Sequence, residues 1–219
     1  LVYQELRAPG ASASASTEAP IGLEVGLGTR AVATARNFSS GNLQSTNSPL
    51  DIAIEGDGFF KISLPNGTTG YSRAGAFHLN AQGLMVTSEG YSLEPNITIP
   101  ANATTVSISK DGIVSASVAG QAAIQTLGTI EIATFSNAAG LRPLGGNLFT
   151  PTTASGEPSS GAPGTDSRGT LAQAVLEDSN VSVVEEMVNM IVGQRAYEAN
   201  SRVVKAADEM LQQVNNLVR

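Results

Sequence analysis

Several groups of residues have types and spacings that could support chemistry, and each requires a particular structural setting. Gly26-x-Gly28-x-x-Ala31 loosely matches the glycine pattern that binds a dinucleotide pyrophosphate. That chemistry needs a buried strand before the glycines and an apolar-faced helix after them. Residues 31–40 show no amphipathic helix pattern and end in turn formers, so we interpret the glycines as turn residues of an extended segment.

A serine–lysine pair and a single histidine are candidates for nucleophilic and metal chemistry. Ser107 and Lys110 have the spacing of a serine–lysine nucleophile, which needs a helical turn to bring lysine against serine. They lie in a predicted strand, where residues three apart point to opposite faces, so we assign them no catalytic role. His78 is the only histidine and cysteine is absent, so we expect no transition-metal site.

Three acidic residues lie close together in the sequence. Asp51, Glu55 and Asp57 fall in a predicted β-hairpin region and could supply the carboxylate pair of a hydrolase. No aromatic sugar platform or convergent base accompanies them, so we interpret them as solvated acids of a strand face and a turn. We therefore predict no catalytic residue, no cofactor and no metal, with an enzyme pocket at these acids as an alternative.

The composition limits which functions the chain can have. Of its 219 residues only 14% are charged, against about 25% in typical soluble domains. The net charge of −7 and the lack of a basic tract disfavour nucleic-acid binding, because nucleic-acid sites cluster lysine and arginine. No apolar run reaches the roughly 20 residues of a membrane span. The many small and polar residues indicate a β-rich body with frequent turns.

Short segments separated by turn residues predict an antiparallel β domain. Residues 51–64 are rich in β formers, and the following Asn66-Gly67 is a strong hairpin signal. Turns about every 8–12 residues are typical of a β-sandwich or a barrel-like domain. The further predicted strands are 69–73, 76–79, 84–87, 91–93, 105–109, 113–117 and 129–135.

The predicted order is an extended arm, a β domain, a linker and a long helix. We assign residues 1–36 to the arm, 37–150 to the β domain, 151–179 to a Gly/Pro/Ser-rich linker with its lead-in, and 180–219 to the helix. The segment 151–170 has no large apolar residue, so we expect it to be flexible. The fold class is therefore mainly β, with an extended N-terminal arm and a long C-terminal α-helix.

The last segment predicts one long helix with a coiled-coil repeat. Ser182 and Glu185 form a capping box at its start. Apolar residues then recur every seventh position in two neighbouring columns, whereas the opposite side is polar. A seam of this length needs a partner, and no other segment of the chain supplies one. The predicted assembly seam consists of Met190, Tyr197, Val203, Val204, Met210, Leu211, Leu217 and Val218.

Two long segments resemble the flagellar basal-body rod and hook proteins. Residues 50–94, LDIAIEGDGFFKISLPNGTTGYSRAGAFHLNAQGLMVTSEGYSLE, are similar to the signature region of that family. Residues 179–217, SNVSVVEEMVNMIVGQRAYEANSRVVKAADEMLQQVNNL, are similar to its C-terminal helix. Residues 1–30 and 98–116 are similar to stretches of the members that form the distal rod. The resemblance covers nearly the whole chain.

The resemblance implies a structural subunit of the bacterial flagellum. It implies polymerisation into the distal rod, the periplasm-spanning shaft of the basal body that transmits torque from motor to hook, after secretion by the flagellar export apparatus. The implied partners are further copies of the chain, the proximal rod and hook proteins, and the peptidoglycan-layer and outer-membrane ring proteins that act as a bushing. Alternatives are a hook or proximal-rod subunit, or an unrelated β-rich surface or adhesion protein; a hook protein should contain larger inserted β domains.

The resemblance also implies a helical partner for the seam and a role for the arm. Family members begin with a helix that pairs with the C-terminal one, and we expect this chain to lack it. We therefore expect the C-terminal helix to be frayed, disordered or packed on a neighbouring copy. We expect the arm to bridge neighbouring subunits and stiffen the rod, with contacts from Leu1, Tyr3, Leu6, Ile21, Leu23 and Val25.

Overall fold

Strands predominate in the computed structural model, which describes residues 2–7, 12–14, 17–18, 23–28, 36–120 and 123–217. The chain forms two units, Leu1–Asn37 and Phe38–Arg219. The described strand pairs are antiparallel, and the one α-helix among the described residues is C-terminal. The predicted fold class, mainly β with a long C-terminal helix, is confirmed.

The first unit contains short strands in two antiparallel pairs. They are β1 (Val2–Arg7), β2 (Ser12–Ser14), β3 (Thr17–Glu18) and β4 (Leu23–Gly28). β1 pairs with β4, which places Gln4 opposite Val25, and β2 pairs with β3. Of the predicted arm contacts, Tyr3 and Leu6 lie in β1, Leu23 and Val25 lie in β4, and Leu1 and Ile21 lie outside the described residues.

The second unit is built on a nine-stranded sheet. Its strands are β5 (Leu43–Ser45), β6 (Ile52–Glu55), β7 (Phe59–Ser63), β8 (Thr69–Ser72), β9 (Phe77–Leu79), β10 (Met85–Thr87), β11 (Ser92–Glu94), β12 (Ala103–Ile108), β13 (Ile113–Val118), β14 (Gln125–Thr129), β15 (Ile132–Thr134), β16 (Arg142–Gly145), β17 (Leu148–Thr150), β18 (Ser159–Gly161), β19 (Thr170–Gln173) and β20 (Val175–Glu177). The large sheet has the order β16-β17-β8-β7-β11-β10-β9, with β15 joined to β7 and β18. The strands β12, β13 and β14 form a second sheet, while β6 pairs with β19 and β5 with β20.

The β body has a hydrophobic cluster on each side of its central strand β7. Successive side chains of a strand point to opposite faces, so Phe59 and Phe60 enter different clusters. Phe60 packs edge to face on Phe77 at 5.2 Å between ring centroids, within the larger cluster. Phe59 packs on Phe38 and Phe135 in a smaller aromatic cluster. Burial on both faces holds β7 as the centre of the body.

The segment that we expected to be a flexible linker forms part of the β body, so that expectation is wrong for these residues. β18 pairs with β15 and β19 pairs with β6, and Leu171 in β19 is only 2% exposed. The buried guanidinium of Arg168 donates to the carbonyl of Ala162 and to the side chains of Thr165 and Asp166. The expectation considered only apolar side chains, whereas backbone pairing and one arginine hold most of this segment.

The C-terminal helix α1 extends over Val183–Leu217 and has 35 residues. The hydroxyl of Ser182 accepts the N–H of Glu185 at 3.4 Å, and its carbonyl accepts the N–H of Glu186 at 3.0 Å. Glu185 and Glu186 also lie in the first turn, where the helix dipole favours negative charge. The expected fraying is not found over Val183–Leu217, because a capped start and mostly strong helix formers support regular helix geometry.

Candidate assembly surfaces

The acidic residues that could have formed a catalytic pair do not share one cleft. Asp51 is buried and accepts a hydrogen bond from the Thr46 hydroxyl at 2.7 Å, which gives it a structural partner. Glu55 and Asp57 are exposed, and only Asp57 lines the cleft of about 400 Å³ beside the aromatic cluster. Within the described residues, no group of three or more His, Asp or Glu could hold a metal ion.

The other motifs suggestive of chemistry also lie in unsuitable settings. Gly26 and Gly28 lie in β4, whereas residues 29–35, where a dinucleotide motif would need the start of its helix, lie outside the described residues. Ser107 lies in β12, whereas Lys110 lies in the turn that follows it. His78 is an exposed residue of β9. These positions support the interpretation of each motif as ordinary strand or turn sequence; Ala31 lies outside the described residues.

The predicted seam lies on a helix whose described side chains are almost all exposed. The exposed fractions of its described members are Met190 62%, Tyr197 77%, Val203 68%, Val204 61% and Met210 62%. The side chains of Leu211, Leu217 and Val218 lie outside the described residues. At about 1.5 Å per residue the helix is about 50 Å long, so the two apolar columns form an elongated surface. Exposed apolar surfaces larger than a few hundred Å² are typical of interaction sites.

The first turns of α1 extend this surface around the helix. Val183, Val184, Met187, Val188, Ile191 and Val192 are between 52% and 72% exposed. Gly193 has no side chain and faces open space, since a Cβ added there would meet nothing within 4 Å. No described helix is long and apolar enough to cross a membrane.

The side of α1 opposite the apolar columns is charged and polar. Glu198 and Arg202 are one helical turn apart and form an ion pair at 3.8 Å. Both side chains are largely exposed, so this pair contributes little stability in water. After Gly193 the described part of the helix therefore has an apolar side and a polar side, whereas its first turns are apolar on several sides.

Comparisons with known proteins assign this arrangement to a family. The model of the flagellar hook protein FlgE/F/G D1 domain matches residues 53–116, and that of the flagellar basal body rod FlgEFG protein C-terminal region matches residues 172–217. The flagellar basal-body rod protein FlgG of Borreliella burgdorferi is 47% identical over 221 residues, which cover 100% of this chain and 83% of that protein. The chain belongs to the FlgE/F/G family of flagellar rod and hook proteins.

Within the FlgE/F/G family the chain is more similar to rod than to hook members. FlgG of Caulobacter vibrioides is 46% identical over 218 residues, covering 99% of this chain and 83% of that protein. The hook protein FlgE of the same organism is 30% identical over 199 residues, covering 83% of this chain but only 34% of the hook protein. The chain is a structural subunit of the flagellar basal-body rod and is located in the basal body, which confirms the expectation from resemblance.

One feature of this FlgE/F/G-family structure was not foreseen from the sequence, the ion pair between Arg73 and Glu177. The Nε of Arg73 donates to a carboxylate oxygen of Glu177 at 2.9 Å across 104 sequence positions. No local period or motif links residues that far apart. The only sequence signal is an arginine at the end of the predicted strand 69–73, which does not identify its partner.

Proposed function

We propose that the chain is a distal-rod subunit that polymerises through α1 into the rigid shaft that transmits torque from motor to hook. The observation that supports this most strongly is the exposure of the described seam residues Met190, Tyr197, Val203, Val204 and Met210 of α1, which lie within the segment matched by the rod C-terminal family model. Burying a large apolar side chain contributes about 1.5–3 kcal/mol. Several such side chains per subunit are enough to hold neighbouring copies together without covalent bonds.

We also propose that the chain acts as a structural part and not as a catalyst. The separated positions of Asp51, Glu55 and Asp57 support this, because a hydrolase needs its carboxylates around one cleft. The proposed partners are further copies along the shaft, the proximal rod and hook proteins at its ends, and peptidoglycan-layer and outer-membrane ring proteins around it. The net charge of −7 supports rotation inside those rings without adhesion.

The arm, residues 1–36, is proposed to bridge neighbouring subunits. Its proposed contact residues are Leu1, Tyr3, Leu6, Ile21, Leu23 and Val25. The two-stranded pairing of β1 with β4 supports this proposal, because a two-stranded ladder has outer edges that can bind another chain. A bridge of this kind resists bending of the shaft.

Electron microscopy of the assembled protein tests both parts of the proposal. The parent protein should form straight tubes, and a variant lacking residues 8–21 should form more flexible, curved filaments. A matched control replaces the same residues by a scrambled sequence of equal length and composition, which separates sequence from length. Failure of the parent to form tubes would contradict the rod assignment, whereas equally straight tubes from the deletion variant would contradict the bridging role.

A further inference from the structure

The segment that leads into the β body of the second unit and the segment that leads out of it lie next to each other. β5 pairs with β20, which places Leu43 opposite Glu177. Beyond this ladder the N–H of Asp178 donates to the carbonyl of Asn42 at 2.8 Å, and the side-chain amide of Asn180 donates to the carbonyl of Ser39 at 2.9 Å. We define the neck as residues 38–45 together with residues 175–182, the second of which leads directly into α1.

Arg73 ties the neck to the β body. Its Nε and Nη2 donate to the two carboxylate oxygens of Glu177 at 2.9 and 3.1 Å. Its Nη1 donates to the carbonyls of Gly56 and Gly58 at 3.0 and 3.3 Å, in the loop between β6 and β7. Glu177 also accepts the backbone N–H of Gly41 at 3.0 Å. One bidentate ion pair therefore joins both sides of the neck to the β body.

Because this ion pair is largely buried, removing one partner would leave an uncompensated buried charge. The side chains of Arg73 and Glu177 are 15% and 11% exposed, so salt and water screen them little. Bidentate arginine–carboxylate pairs are also among the strongest and most directional hydrogen-bonded contacts in proteins. The neck is closely packed here, since a Cβ added at Gly41 would overlap the carbonyl of Asp178. The Arg73–Glu177 pair is therefore suited to fixing the angle between the neck and the β body.

We propose that Arg73 and Glu177 form a clasp that fixes the direction in which α1 leaves the β body. Without the clasp, the short β5–β20 ladder and its flanking hydrogen bonds leave the neck free to twist. Arg73 is then a positioning residue, since it acts on α1 through Glu177 and β20. In an assembled rod the clasp transmits force between the helical seam and the β body; only this mechanical consequence rests on the proposed function.

Hydrogen exchange of the parent and of Glu177→Gln measures the opening of the neck. Glutamine preserves the shape of the glutamate side chain, but it removes the charge and one of the two side-chain oxygens that accept hydrogen bonds from Arg73. The amide of Asp178, which donates across the neck to Asn42, and that of Thr46, which donates to Ala174 at the inner end of the neck, should exchange at least about tenfold faster. A hydrogen bond to a charged group contributes enough free energy for that change. Amides of β7 should keep their protection.

Double electron–electron resonance, which measures the distance between two spin labels, tests whether the direction of α1 depends on the clasp. The chain has no cysteine, so spin labels can be attached through Gln82→Cys on the β body and Asn189→Cys near the start of α1. We expect one narrow distance distribution in the parent, broadened about twofold by Arg73→Gln or Glu177→Gln. Arg73→Lys should give an intermediate width, because lysine retains the charge but not the planar fork.

A double variant in which Arg73 and Glu177 exchange places tests whether the clasp needs more than attraction between opposite charges. Arg73→Glu combined with Glu177→Arg preserves the charges but places a carboxylate against the carbonyls of Gly56 and Gly58. We expect it not to restore the narrow distribution, since those carbonyls need donors. A fully restored distribution would overturn the assignment of the carbonyl contacts to the clasp.

Glu131→Gln is the matched control for the distance measurements. It removes the Lys61–Glu131 ion pair of the β body, at 3.2 Å, without touching the neck. It should leave the distance distribution unchanged, whatever its effect on thermal stability. A distribution as narrow in Arg73→Gln and Glu177→Gln as in the parent overturns the proposal. Clasp variants that broaden the distribution in a protein that never forms rods would leave the clasp supported and the proposed function refuted.

Discussion

The double substitution Met190→Gln and Val204→Thr tests whether the apolar column of α1 is an interface. In the single chain these side chains are 62% and 61% exposed. Surface changes of this kind alter the free energy of unfolding by about 0.5 kcal/mol or less. Glutamine is close to methionine in length and threonine has the shape of valine, so neither substitution introduces a steric clash.

In an assembled seam the same two substitutions should have a much larger effect. Burying a hydroxyl or an amide without a hydrogen-bond partner costs about 1–3 kcal/mol, so the pair should lose about 2–6 kcal/mol per subunit. Each 1.4 kcal/mol changes an association constant about tenfold. We therefore expect the critical concentration for assembly to rise about 30-fold or more.

Sedimentation over a series of protein concentrations gives the critical concentration, and circular dichroism gives the thermal midpoint of the same samples. Arg195→Gln, on the polar side of α1, is the matched control and should leave the critical concentration within about twofold of the parent. If the double variant has a normal midpoint and an unchanged critical concentration, the column is not an interface.

Three further predictions concern the β body. A Cβ added at Gly75 would overlap the carbonyl of Ile52, so Gly75→Ala should lower the free energy of unfolding in urea by about 3 kcal/mol or more. A Cβ added at Gly67 would meet nothing within 4 Å, so Gly67→Ala should lower the free energy of unfolding by only about 1–2 kcal/mol, because of the positive φ of this residue. Equal losses of stability in the two variants would refute the close contact at Gly75. Arg168→Gln removes the buried guanidinium, so a nonspecific protease should cleave residues 156–168 faster by mass spectrometry; an unchanged rate would show that backbone pairing alone holds this segment. Burial, with smaller contributions from two nearby carboxylates, raises the pKa of Tyr71 above its ordinary 10.0. The stability that this raised pKa provides is complete below about pH 10 and is lost as pH rises through the pKa of Tyr71 in the folded protein. Above pH 10 the free energy of unfolding in urea should therefore fall more steeply with pH for the parent than for Tyr71→Phe. Equal slopes for the two proteins would contradict this.

Local patterns were sufficient to predict the hairpin and the helix. Asn66-Gly67 indicated a turn, and the structure has β7 and β8 on either side of it with Ser63 opposite Thr69. The recurrence of apolar residues at every seventh position likewise predicted α1, because helix formation depends on side chains only a few positions apart in the sequence. Features determined by contacts between adjacent turns or strands are therefore readable from one sequence.

Contacts between distant segments could not be predicted in this way. β18 has the composition of a loop, and its pairing with β15 depends on backbone groups that every residue has. The clasp joins Arg73, directly after β8, to Glu177 in β20 across 104 sequence positions, and only the folded chain brings these two strands together. The sequence therefore predicted candidate residues for association, but it did not indicate the contacts between the neck and the β body.

Helical reconstruction of the assembled protein by electron cryomicroscopy is the most direct test of α1 as the assembly seam of a rod subunit. We expect straight tubes in which Met190, Tyr197 and Val204, at 61–77% exposure in the single chain, are buried against helices of neighbouring subunits. Tubes in which this column still faces solvent, with the copies joined only through their β bodies, would contradict it.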